Sequence, residues 1–207
     1  AEYAGLIVGV VVLMIVVPGA RTTWPLAAAT RLTAYLPLLA LNRDLLIRTL
    51  VLSLAFAVFV SLSARTGDVT LAANEVLMMF LTFASFALDG FANACEAIVG
   101  EAYGKRDRRS MQNAVAVSTV WAGLTASVFC LVFAVFGDGI INLMTDVEEV
   151  RATARTYLPY AVLMPLAGVW SFQLDGIFIG TTRGRDLRNA MLISTVIYLP
   201  TSYLLWL

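Results

Sequence analysis

The tripeptide Leu-Asp-Gly occurs twice, at Leu88-Asp89-Gly90 and Leu174-Asp175-Gly176, each time inside a long apolar run with no basic residue. A carboxylate at such a depth in a membrane costs about 2.5–3.5 kcal/mol on insertion scales. The chemistries that repay this cost are ion coupling, proton relay and binding of a cationic solute. Further polar side chains accompany both copies. Glu75, Thr82, Asp89, Asn93 and Glu96 follow one another at offsets of 7, 7, 4 and 3, which places them on one face of a helix. Gln173 and Asp175 lie in the second run, beside Trp170, Ser171, Phe172 and Phe178. The candidates for ion coupling or substrate binding are therefore Asp89, Asn93, Glu96, Gln173 and Asp175. Glu75, near the outer end of its helix, reads instead as a solvated helix-start residue.

The competing reading of each feature is structural. A buried carboxyl can be satisfied by Ser, Thr or backbone groups and simply hold a bundle together. Gly90, Gly100, Gly168, Gly176 and Gly180 suit close helix approach. Met78, Phe86, Trp170 and Phe178 pack or face lipid by default, and they would line a cavity only if it handles apolar cations, which aromatic faces attract.

Composition fixes the setting. Of 207 residues 60% are hydrophobic and 14% charged, against roughly 25% charged in soluble domains. The chain is read as an all-α integral membrane protein, since continuous apolar runs, rather than alternating ten-residue strands, exclude a membrane β-barrel. Fourteen basic residues balance fourteen acidic ones, so no basic face is available for a nucleic acid. There is no histidine, and any proton relay must run on carboxylates, tyrosines and water. Cys95 and Cys130 lie in apolar segments and read as small buried hydrophobes. No signal peptide is evident. The apolar runs at both ends read as the ends of a fragment.

Six segments approach the ~20 residues needed to cross a bilayer: about 3–18, 45–64, 71–99, 111–136, 155–180 and 188–207. Proline marks several ends and bends. Loop charges orient them. Arg21, Arg31, Arg43 and Arg48 follow the first, Lys105, Arg106, Arg108 and Arg109 the third, and Arg183, Arg185 and Arg188 the fifth. These alternate loops are cytoplasmic by the positive-inside rule, at 19–44, 100–110 and 181–188. The stretch 19–44, with Pro25 and Pro37, reads as a link between two bundles lying at the membrane surface, or as a plain loop. The expected domains are 1–18, a partial last helix of one lobe; 19–44, the linker; and 45–207, a second lobe of five helices. Counting inward from the basic edge puts Asp175 (eight residues before Arg183) level with Glu96 (nine before Lys105), about 12–13 Å deep. Asp89, sixteen residues before Lys105, is expected deeper and apart from Asp175. No Lys or Arg is expected deep in a helix.

Leu41-Asn42-Arg43-Asp44, the run Leu88-Asp89-Gly90-Phe91-Ala92-Asn93-Ala94-Cys95-Glu96-Ala97, the loop Gly100-Glu101-Ala102-Tyr103-Gly104-Lys105-Arg106-Asp107 and the stretch from Leu174 to Arg183 followed by Arg188-Asn189-Ala190-Met191 stand in one order. Together they resemble the C-terminal half of MATE transporters, the multidrug and toxic compound extrusion family, and within it the DinF branch. The resemblance implies twelve helices in two six-helix lobes, of which this chain would hold helices six to eleven. It also implies a monomeric, multi-pass protein of the bacterial inner membrane. Such a protein exports cationic amphiphilic compounds in exchange for protons or Na+, without a cofactor or resident metal and without enzymatic activity. The partners are then the lipid bilayer and a small cationic substrate. An Asp in the first helix of the other lobe is implicated in proton coupling in this branch. The Glu that many relatives carry in the seventh helix is missing from 45–64, which argues against a NorM-like sodium site. The loop at Gly100–Asp107 also reads as a helix cap with orienting charges. A lipid-precursor flippase or metabolite carrier of the same superfold is the alternative. An intramembrane aspartyl protease is a distant one, since its Gly-x-Gly-Asp signature is absent.

Overall fold

A computed structural model describes residues 32–206. The expected helix 3–18 and the first half of the expected linker, 19–31, lie outside them. The chain divides into two compact units, Ala1–Ala40 and Leu41–Leu207, and the contacts below belong to the second. Five helices follow in order: α1 Leu32–Arg65, α2 Asp68–Gly104, α3 Arg108–Met144, α4 Glu148–Gly180 and α5 Gly184–Trp206. The described residues form an all-α, multi-pass arrangement, as composition required. Four of the helices, α1 to α4, are long and apolar enough to cross a membrane.

The helices outrun the apolar segments. Hydropathy marks the part that lies in hydrocarbon, whereas the helix runs on to its caps. At 37 residues, α2 is about 55 Å long, well beyond the ~30 Å hydrocarbon core. The segment 32–44, read as linker, is helical and continuous with α1. Pro159, Pro165 and Pro200 stand inside helices rather than at their ends, which membrane helices tolerate when neighbours satisfy the freed carbonyls.

Helices α2, α3 and α4 form the packed centre. Its outer layer joins Phe80, Ala84, Phe133, Ile141, Ala154 and Leu158, with Phe80 and Phe133 edge to face at 4.9 Å. A middle layer holds Leu88, Ala122, Ala126 and Val169, and the layer nearest the basic loops holds Cys95, Val99 and Ala114. α2 and α4 run parallel and nearly touch. A Cβ on Gly176 would stand 2.3 Å from the Ala92 carbonyl oxygen, and one on Gly180 would stand 2.6 Å from that of Glu96. A Cβ on Gly90 meets nothing within 4 Å. The second glycine of the repeated tripeptide is thus a packing residue, and the first is not.

The basic loops are tightly built. Arg106 and Thr182 both adopt φ 57°, the left-handed turn that ends a helix. Asp107 caps α3, accepting from the Arg109 and Ser110 backbone N–H groups and from Ser110 Oγ at 2.7 Å. At the opposite end Arg151 donates to the Thr145 and Asn142 carbonyls at 2.8 and 3.0 Å, closing α3's last turn.

Candidate functional site

The helix register decides which polar residues meet. Gly176 lies opposite Ala92, and Gly180 lies between Glu96 and Gly100. Asp175 is therefore level with positions 91–92, a few ångströms from the level of Asp89 and about 7 Å from that of Glu96 at 1.5 Å per residue. This corrects the depth count from sequence. Counting from the basic edge assumed that α2 and α4 end together, but α2 continues past the end of α4 to Gly104. The two Leu-Asp-Gly copies come to nearly the same height.

They also share a cation. Arg48, on α1, donates from a terminal guanidinium nitrogen to the Asp175 carboxylate, and both side chains are mostly buried. The Asp89 carboxylate acts electrostatically on the same guanidinium. The expectation that no basic residue reaches into the helices is overturned here. Arg48 was counted among the loop charges because it stands near the start of the apolar run, yet α1 is already helical from Leu32. The signal in the sequence was the i, i+4 pair Asp44 and Arg48, which puts both on one face. Asp44 is itself 2% exposed and accepts from Arg188 on α5 at 2.7 Å. Two buried ion pairs thus tie α1 to α4 and α5.

One guanidinium pairs with Asp175 and feels the charge of Asp89, so the group is one positive charge short. Asp175 is held by Arg48, whereas Asp89 stands exposed on α2, one turn from exposed Asn93. Glu96 is half-buried below them. Gln173 does not join this group. Two residues from Asp175, it points the other way and is 2% exposed, with Oε1 accepting from Ser118 Oγ of α3 at 3.0 Å. Its Nε2 is a buried donor without a partner among the described residues, as is Arg48 Nε. Ser118 also reaches the Phe91 carbonyl at 3.3 Å. Gln173 therefore serves the α2–α3–α4 packing.

On the side of Arg48 away from the basic loops, one turn from it at Leu52, an apolar cavity of about 240 Å³ opens between α1, α2, α4 and α5. Met78 lines it with Leu52, Phe56, Leu81, Met164 and Tyr198. Through Phe59 and Tyr198 it adjoins a more polar pocket of about 390 Å³ bearing Ser63, Thr70, Asn74, Tyr157 and Ser202. There Asn74 Nδ2 donates to Ser63 Oγ at 2.8 Å. Of the other expected wall residues, Phe86 and Trp170 stand on the surface at 72% and 62% exposure. Phe178 lies under the Arg183 guanidinium, 5.9 Å from ring centre to Cζ. The Tyr157, Tyr198 and Asn74 lining was not singled out from sequence; no charge or motif marks it.

The MatE family model matches residues 45–204. The chain is 37% identical over 215 aligned residues to DNA damage-inducible protein F of Escherichia coli (strain K12), covering all of this chain and 47% of that protein. It is 29% identical over 153 residues to the probable multidrug resistance protein NorM of Rhizobium meliloti (strain 1021), covering 72% of this chain and 32% of that one. The chain spans less than half the length of either relative.

Proposed function

The chain belongs to the MatE family, and on that premise we propose that it is part of a multidrug exporter whose substrate and coupling ion meet at the Asp89–Arg48–Asp175 group. The reading extends to the chain what the name of the NorM relative says of that protein. The observation that carries it is the charge count: one guanidinium facing two carboxylates. A fully compensated pair would be a structural clasp. A group one positive charge short holds a site for a proton or an organic cation, and not for both together.

The division of labour follows from exposure. Arg48 fixes Asp175 and thereby the distance between α1 and α4. Asp89, exposed on α2, is the carboxylate a cationic substrate can reach, with the Asn93 amide one turn away to orient it. A proton arriving at Asp89 removes the charge that holds the substrate and releases it. Export follows when the two ligands are taken from opposite sides, which gives proton-coupled antiport by competition. A first-helix Asp of another lobe would cooperate in this. The protein acts as a monomer in the bacterial inner membrane, with the basic loops on the cytoplasmic side.

The same count argues against a carrier of pyrophosphate-linked precursors. Such a cargo needs surplus positive charge, and Arg48 is already outnumbered. The test uses proteoliposomes of the intact protein loaded with a fluorescent organic cation. Dye transport driven by an imposed proton gradient, and not by a sodium gradient, is expected. Transport driven by sodium alone, or by neither gradient, would overturn the proposal.

A further inference from the structure

A second groove lies away from the acidic group, between α2 and α3. On α2 its wall is Phe91, Ala94 and Ile98; on α3 it is Val117, Ser118 and Trp121, with Asn113 and Ser110 toward the loop. At about 100° per residue, Ala94 and Ile98 stand some 140–180° round α2 from Asp89, so this groove does not open onto the Asp89 stripe. Small residues make it deep: Ala94 and the buried Ala114 leave a volume of about 490 Å³ above the layer of Cys95 and Val99. Ile98, Val117 and Trp121 are more than half exposed at its rim. A groove in a membrane-spanning segment with an apolar rim is filled by hydrocarbon.

Its loop end has the opposite character. A pocket of about 550 Å³ there is lined by Ala102, Tyr103, Gly104, Arg106, Asp107, Arg108 and Met111. The acids of this loop are engaged within it. Glu101 pairs with Lys105, and Asp107 spends its carboxylate on the start of α3. Arg106 and Arg108 have no acidic partner among the described residues. The left-handed turn at Arg106, closed by the Asp107 N–H on the Ala102 carbonyl at 3.0 Å, holds both on the pocket wall. From Ser110 to Trp121 the groove runs about 16 Å along α3, close to the ~15 Å of hydrocarbon in one leaflet, and Arg108 stands two residues beyond its loop end.

We infer that this groove is a binding site for an anionic phospholipid, with one acyl chain lying between Ala94, Ile98, Val117 and Trp121 and the phosphate on Arg106 and Arg108. The length of the groove matches one leaflet and its charge matches an anionic headgroup. The bound lipid fills the gap that small residues leave between α2 and α3.

The experiment is native mass spectrometry of the intact protein, stripped of lipid and titrated with phosphatidylglycerol, phosphatidylethanolamine or inorganic phosphate. Each arginine at the membrane surface is expected to contribute about fivefold to anionic-lipid affinity. Arg106→Gln with Arg108→Gln should therefore weaken phosphatidylglycerol binding by about 25-fold and leave phosphatidylethanolamine binding unchanged. Ala94→Phe, which fills the groove, should weaken both lipids. Circular dichroism verifies that each variant is folded, and the exposed arginine pair supplies the reading should Ala94→Phe fail to fold. Unchanged phosphatidylglycerol binding in the arginine variant would overturn the inference. So would competition by inorganic phosphate, which would mark an anion site without a lipid, or occupancy of the groove by a second copy of the chain.

Discussion

Arg48 and Asp175 are 127 positions apart in the chain and form a mostly buried ion pair between α1 and α4. Removing one partner of such a pair strands the other, and the loss comes from the stranded charge rather than from the bond. Arg48→Gln should therefore destabilise the protein by about 1–3 kcal/mol, below the full buried-pair figure because both side chains keep some exposure. Asp175→Asn alone should cost less, since Arg48 retains Asp89. The double variant should recover part of the loss, with a coupling of about 0.5–3 kcal/mol in a double-mutant cycle of detergent unfolding. Strict additivity would show that the pair is not energetically coupled.

The two glycines of the repeated tripeptide should respond in opposite ways. Gly176→Ala drives a methyl group into the Ala92 carbonyl. The α2–α4 contact must open, at about 1–3 kcal/mol, read as a lowered Tm. Gly90→Ala meets open space and gains helix propensity, about 1 kcal/mol at most, so its Tm should be unchanged or higher. Equal losses at the two positions would contradict the register described here.

Asp107 should give stability a pH dependence. Its hydrogen bonds from Ser110 and the α3 backbone hold its carboxyl below the usual aspartate range. A group whose value is lowered by folding stabilises the fold above its unfolded value, near 3.9, and loses that contribution as pH falls through its folded value. Asp107→Asn should therefore lower Tm at neutral pH, and the gap to the parent protein should close in acid. A gap that stays constant down to that range would remove the carboxylate from the cap.

The helices were legible because lipid admits few alternatives: long apolar runs, separated by loops with alternating basic content, leave only spanning helices. The acidic residues of the candidate site were legible as residue types but not in their grouping. Asp89 and Asp175 stood out as carboxylates in apolar runs. That they come level depends on α2 outrunning α4 by a turn or more, which no local pattern encodes. Arg48 escaped because position alone makes a basic residue near the start of a run look like a loop charge; its partner lies 127 residues on. Gln173 was grouped with Asp175 by proximity, yet two helical steps turn it to the opposite face, toward Ser118. Gly90 and Gly176 share one motif, and only the neighbouring helix distinguishes them.

The central claim is that a proton and a cationic substrate compete for the charge left over in the Asp89–Arg48–Asp175 group. It is tested most directly by adding a quaternary organic cation to the intact protein in weakly buffered detergent, with a pH indicator reporting proton release. At an acidic pH, where the Asp89 carboxyl carries a proton, the parent protein should release up to about one proton per substrate bound, by linkage. Asp89→Asn should release none, while Asp107→Asn, in the loop, should behave as the parent does. Undiminished release from Asp89→Asn, or none from the parent, would contradict the account.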